Sequence, residues 1–217
     1  MQKRKRRYLF SILIVVLALV LLAAIPSTRF FFLRIPARAL VIPEPAVKPV
    51  DVIVLTVDAY RPATLDAADL VHRGIATRVA VFSEPPDLST QELIRRGVKY
   101  PDQEAVVISY LNDLGIHNVE SIPTPVTGSE REGTVLPAWC ERNHIRSLIL
   151  VVGTDHARRV NRIMRRGFKG HNTTVTVYPT RYSDLNPEAW WNTRRDSREV
   201  IVEFEKLMLD VIRHPLS

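Results

Sequence analysis

The chain has 217 residues, 46% hydrophobic and 24% charged, enough to bury one core and too apolar for global disorder. Its 30 Lys and Arg outnumber 23 Asp and Glu, yet residues 1–43 hold eight of the basic residues and no acid, so 44–217 carries 22 against 23, a net charge of −1. With no basic excess on the folding part, nucleic acid is excluded as the expected partner, and the single cysteine, Cys140, excludes an internal disulfide.

Residues 1–7 (MQKRKRR) read as a basic cytoplasmic tail. The run YLFSILIVVLALVLLAAI follows at 8–25, and no charge occurs from Tyr8 to Thr28. About 20 such residues suffice to cross the ~30 Å hydrocarbon layer as a helix. A single transmembrane helix over 8–28 is therefore predicted, with the lipid bilayer as its partner. The positive-inside rule puts the C-terminal part on the outer side. The rival is a cleaved leader, for which Leu22-Ala23-Ala24 is a loose match and the apolar run is long. Residues 29–49 begin with Phe30, Phe31 and Phe32 and continue into PARALVIPEPAVKPV, four prolines without a helical period. They read as a Pro-rich, stiff linker.

Residues 50–217 read as one α/β domain. DVIVLTV (51–57) is a continuous apolar, β-branched run, the mark of a strand buried on both faces. Helical spacing follows over 64–74. RVAVFS (78–83) is a second strand, 102–114 an amphipathic helix stopped at Gly115, and NVESIP (118–123) a short third strand. Residues 129–143 look helical, with Gly133 and Pro137 arguing for a weak or kinked element. SLILVV (147–152) is the strongest strand, 155–166 a helix, TVTVYP (174–179) another strand, and 188–213 a long final helix. Strands alternating with helices predict parallel βαβ units in a doubly wound, mostly parallel, Rossmann-like sheet.

Ligands of such sheets bind beyond the carboxyl ends of the strands. That rule selects Asp58-Ala59-Tyr60-Arg61, Ser83-Glu84, Thr127 to Glu132, and Gly153-Thr154-Asp155-His156. In the last turn Thr154 is a candidate N-cap, and the helix start favours an anion. His156 and Arg159 lie three apart on one face, fit to hold a phosphate or carboxylate. His156 alternatively serves as an acid–base group, kept neutral by the helix N-terminus. The bland alternative is a packed histidine beside a solvated arginine. Glu104 by itself matches a dipole-compensating surface acid, and Cys140 beside Trp139 a small apolar filler. The six histidines show no metal spacing, so no metal site is expected. Neither a nucleophile elbow nor a Walker loop occurs.

DVIVLTV with an arginine soon after, PDQEAVVISYLNDLGI, an acidic-polar turn, SLILVVGTDHARRV and the closing AWWNTRRDSREVIVEFEKLML, in this order, resemble the SanA/YdcF/ElyC-like domain of unknown function. The resemblance covers roughly 50–213, and the N-terminal run looks like its envelope-anchored members. It implies a bacterial inner-membrane protein, single-pass, with its α/β domain extracytoplasmic. The implied role lies in peptidoglycan, surface-polysaccharide or lipid-carrier metabolism. The family's Glu-Ala pair is matched by Glu104-Ala105, its His-x-x-Arg by His156 and Arg159, and its third-turn Glu by Glu132. Its glycines after the first strand are replaced by Val57-Asp58-Ala59, its Ser-Gly-Gly by Ser83-Glu84-Pro85, and its Thr-x-Glu-Asn by Glu130-Arg131-Glu132-Gly133. Glycine lets backbone approach a ligand closely, so these changes reshape the cleft.

The expectation is an envelope-biogenesis factor whose cleft binds an anionic precursor, with hydrolase- or transferase-like chemistry if it is an enzyme. His156, Glu104, Glu132 and Asp58 are the candidate catalytic residues. Arg61, Ser83, Thr127, Thr154, Asp155 and Arg159 are the candidate ligand contacts. No cofactor is specified. The alternative is a membrane-tethered adaptor with a degenerate cleft, whose partner is another envelope protein.

Overall fold

The structure is a computed structural model that describes residues 13–14 and 25–217. The predicted basic tail and most of the predicted span fall outside the described residues. Among the described residues no helix is long and apolar enough to cross a membrane.

The first described helix, α1 (Pro26–Leu40), occupies a stretch that the sequence reading assigned in large part to an extended linker. Within the predicted linker, regular structure is absent only after Leu40. Two features explain the helix. Pro26 stands in its first turn, where the fixed φ of proline favours helix initiation. Ala37 and Leu40 are wholly buried against Leu185, Trp190, Val200 and Leu207 in a small apolar cluster. Pro36 removes one intrahelical bond. Trp190 Nε1 donates to the nearby Leu33 carbonyl at 2.6 Å, and Arg34 and Arg38 both pair with Glu188. Tertiary burial thus overrides the proline count.

Five strands form the expected doubly wound sheet: β1 (Val52–Leu55), β2 (Val79–Val81), β3 (Val119–Ser121), β4 (Ser147–Val152) and β5 (Thr174–Pro179). Their order is β3-β2-β1-β4-β5, with every pairing parallel. Alternate residues serve opposite layers. Val52, Val54, Leu148, Leu150 and Val152 join one core with α5 (Ser129–Arg142) and α6 (Ala157–Gly167). Ile53, Leu55, Ile149 and Val151 join the other with α2 (Tyr60–His72) and α4 (Gln103–Asp113). Burial on both faces is why the strands read as unbroken apolar runs.

Two further helices depart from expectation. α3 (Leu88–Arg95) was not foreseen; Asp87 caps it by accepting from the Thr90 N–H at 2.7 Å, and none of its residues is buried. α5 runs unbroken through Gly133 and Pro137. Pro137 has no N–H for the Gly133 carbonyl one turn earlier, and Gly167 of α6 packs on that same carbonyl. A Cβ on Gly167 would lie 2.2 Å from it. The two glycines mark where α5 and α6 cross in backbone contact. The last helix, α7 (Arg194–Arg213), follows a short 3-10 turn at Trp190–Asn192 and lies against α1 and α6.

Candidate functional site

The strand order reverses between β1 and β4, and the turns leaving those strands meet there. After β1, the 3-10 turn Val57–Ala59 carries Asp58, its side chain 43% exposed. After β4, Gly153 leads into the 3-10 turn Thr154–His156 and then α6. His156 is 4% exposed. Its Nδ1 lies 3.0 Å from Asp155 Oδ1, and its Nε2 lies 3.9 Å from Asp58 Oδ2 with no hydrogen-bond partner. A carboxylate only accepts, so Nδ1 carries a proton and Nε2 is the position that exchanges one. The arrangement requires Gly153, because a Cβ there would sit 2.5 Å from His156 Cε1 and 2.6 Å from Asp155 Oδ1.

The first turn of α5 supplies Glu132, which is completely buried. Its Oε1 accepts from the Val57 N–H at 3.0 Å, and its Oε2 has no partner. Burial is the main reason its carboxyl is pushed up to about 7; the Val57 N–H pulls the other way, and the Asp58 charge adds to the rise. Removal from water opposes the charged form of His156 too. Asp155, Asp58 and Glu203 together outweigh it, so the imidazole titrates above its ordinary value. The three carboxylates thus favour the charged imidazole, where the sequence reading expected the helix N-terminus to keep it neutral. Burial likewise opposes ionisation of Asp155 most strongly, but the hydrogen bond and charge of His156, a backbone hydrogen bond and the Arg159 charge together outweigh it, and its carboxyl stays below the usual range.

The open space in front of this group is a cleft of about 630 Å3 whose lining includes Asp58, Ser129, Arg159, Lys206 and Arg213. Ser129 Oγ lies 3.5 Å from Asp58 Oδ2. Arg159 donates to Glu203 Oε2 from Nε and Nη2 at 3.2 and 2.9 Å, and Lys206 Nζ donates to Glu203 Oε1 at 2.6 Å. Glu84 borders the cleft, its carboxyl raised by burial and by Asp58. The Tyr60 hydroxyl lies among these acids, 3.5 Å from the Phe82 carbonyl, and burial with the charges of Glu84, Asp102, Glu132 and Glu104 raises it strongly.

Of the residues singled out in the sequence, Asp58, Thr127 and Arg159 line this cleft; His156 and Glu132 are buried and do not, but His156 adjoins Asp58 and Glu132 holds the Val57 N–H next to it. Thr154 is no cap: its hydroxyl donates to the Thr180 carbonyl at 2.8 Å, because a 3-10 turn separates it from α6. Asp155 faces a neighbouring hollow against Arg195 and Arg198 while it holds His156. Glu104 and Ser83 contact each other one turn away, and burial and Asp102 raise the Glu104 carboxyl. Arg61 is exposed on the first turn of α2 and makes no ion pair among the described residues. The sequence reading missed Glu203, Lys206 and Arg213, which α7 brings across the strand ends. Among the described residues no group of three His, Cys, Asp or Glu is placed to hold a metal ion.

A carboxyl raised to about 7, an oriented imidazole and the cations Arg159, Lys206 and Arg213 are a fit set for moving a proton beside a bound anion. No family model, curated protein or solved structure matches the chain.

Proposed function

We propose that this chain is a membrane-anchored envelope-biogenesis factor that binds a phosphorylated or otherwise anionic precursor in the cleft at the strand ends. The observation that carries the reading is the pair of buried, unpartnered polar atoms, His156 Nε2 and Glu132 Oε2, behind a cleft walled by Arg159, Lys206 and Arg213. A buried polar atom without a partner is costly and marks a place where a ligand or substrate supplies one. In this reading His156 Nε2 transfers the proton, Asp155 fixes the ring, and Lys206 and Arg213 receive the anion. Glu132 sets the charge behind the ring. The apolar run at 8–25 and its basic flank support the membrane anchor.

The test is thermal unfolding of the full-length protein against inorganic phosphate, nucleotide-sugars and lipid-phosphate analogues. A ligand at about 100 times its dissociation constant adds ~2.7 kcal/mol of stability. Stabilisation by a phosphorylated compound that His156→Asn abolishes is the expected result. Absence of any shift across the panel would remove the reading.

A second reading, a non-catalytic adaptor, draws on Glu203, which already engages both Arg159 and Lys206. It predicts a captured envelope partner whose binding survives His156→Asn.

A further inference from the structure

The cleft does not end at Glu84. Glu84 and Thr127 also border a second chamber of about 790 Å3, walled by Pro85, Leu88, Ile94 and Tyr100. Its roof is α3, an element with an unusual balance. At eight residues it is too short to persist as an isolated helix. Yet none of its residues is buried, and Leu88 and Ile94 are 84% and 52% exposed. The chamber that Leu88 and Ile94 border offers these apolar side chains a place to meet a partner.

Charge is sorted along the trough. The chamber carries Glu84, Asp87 and Asp102 and no basic residue. Arg159, Lys206 and Arg213 all stand on the cleft's side, among its own acids Asp58, Glu130 and Asp210, so every basic side chain along the trough lies at that end. An anionic group is repelled from the chamber and attracted to the far wall. From this sorting and the shared border, we infer that the site takes an amphipathic anion, with its phosphate or carboxylate against Lys206 and Arg213 and an uncharged apolar group under α3. This assignment rests on the proposed anion-binding cleft and names the class of its ligand. The apolar group seats Leu88 and Ile94, and the ordering of α3 follows occupancy of the chamber.

The experiment compares hexyl phosphate with inorganic phosphate on the full chain in phosphatidylcholine nanodiscs, with empty nanodiscs subtracted. Burying a methylene is worth about a fourfold gain in affinity. Hexyl phosphate is therefore expected to bind at least about tenfold tighter than inorganic phosphate. The double variant Leu88→Ser with Ile94→Ser is expected to collapse that ratio to about twofold. Because α3 buries nothing, this variant keeps the fold, and its unfolding temperature checks that. Hydrogen exchange gives the second readout, with hexyl phosphate slowing amides across 85–103 and inorganic phosphate not doing so. If both probes bind equally, the chamber assignment is wrong and the anion cleft stands. A preference that survives the double variant also overturns it. If neither probe binds, the cleft reading itself fails and takes this one with it. Exchange protection over 88–95 that varies with protein concentration and not with either probe would assign α3 to a second copy and refute the proposal.

Discussion

Glu132→Gln isolates the energetic consequence of burying an acid behind the cleft. Glutamine keeps an oxygen for the Val57 N–H and cannot ionise. In the folded protein the Glu132 carboxyl holds its proton up to about 7, against 4.5 when exposed. For an acid whose folded value is raised, the stability it contributes is complete below the unfolded value and is lost as pH climbs to the folded one. At ~1.4 kcal/mol per pH unit, the climb removes about 3 kcal/mol. Wild type and Glu132→Gln should therefore be nearly equal in stability at about pH 4.5, and the variant should be ahead by about 3 kcal/mol at about pH 8. His156, also raised, adds a fall above 6.5 in both proteins, so the difference between them reports Glu132. Urea unfolding of the full-length chain in micelles, followed by tryptophan fluorescence, measures both ends. An equal gap at the two pH values would refute the reasoning, because a purely packing effect of glutamine carries no pH dependence.

Gly153→Ala should displace the His156 ring from Asp155, since the new Cβ meets both, at a cost of about 1–3 kcal/mol. A titration of His156 by NMR should then fall back toward 6.5, and an unshifted value would contradict the geometry. Asp66, wholly buried in α2, accepts from Thr180 Oγ1, Arg181 N and Arg181 Nε at 2.6, 3.0 and 2.8 Å. Asp66→Ala should lower stability by about 2–3 kcal/mol, less than a fully buried pair because Arg181 reaches solvent. A urea midpoint that scarcely moves would show that this tie between α2 and the end of β5 carries no weight.

The core of the domain was legible because its strands are buried on both faces. SLILVV and TVTVYP coincide with β4 and β5 residue for residue. The turns leaving β1 and β4 followed from topology, which is how Asp58 and His156 were found. What stayed hidden has specific causes. α3 packs no residue into the core and so leaves no core-facing pattern; only Asp87 ahead of Thr90 hinted at a cap. α1 was obscured by Pro36, whose cost is met by partners more than 140 residues away, Trp190 and Glu188. Glu203 and Lys206 sit on a helix whose apolar stripe was visible, but their role depends on where α7 lands, which no local spacing encodes. The contacts that favour a charged His156 were only half visible: Asp155 is its neighbour in sequence, whereas Asp58 and Glu203 reach it from distant parts of the chain.

Residues 33–41 are clamped to the folded body and move with it. Arg34 and Arg38 grip Glu188, Trp190 grips the Leu33 carbonyl, and Arg158 of α6 donates to the carbonyls of Ala39 and Val41. A pull or tilt applied at Ile25 is therefore delivered as torque to α7 and α6 together. Those are the two helices whose Glu203 and Arg159 face each other beside the cleft. Whatever moves α1 therefore moves the two helices that flank the cleft.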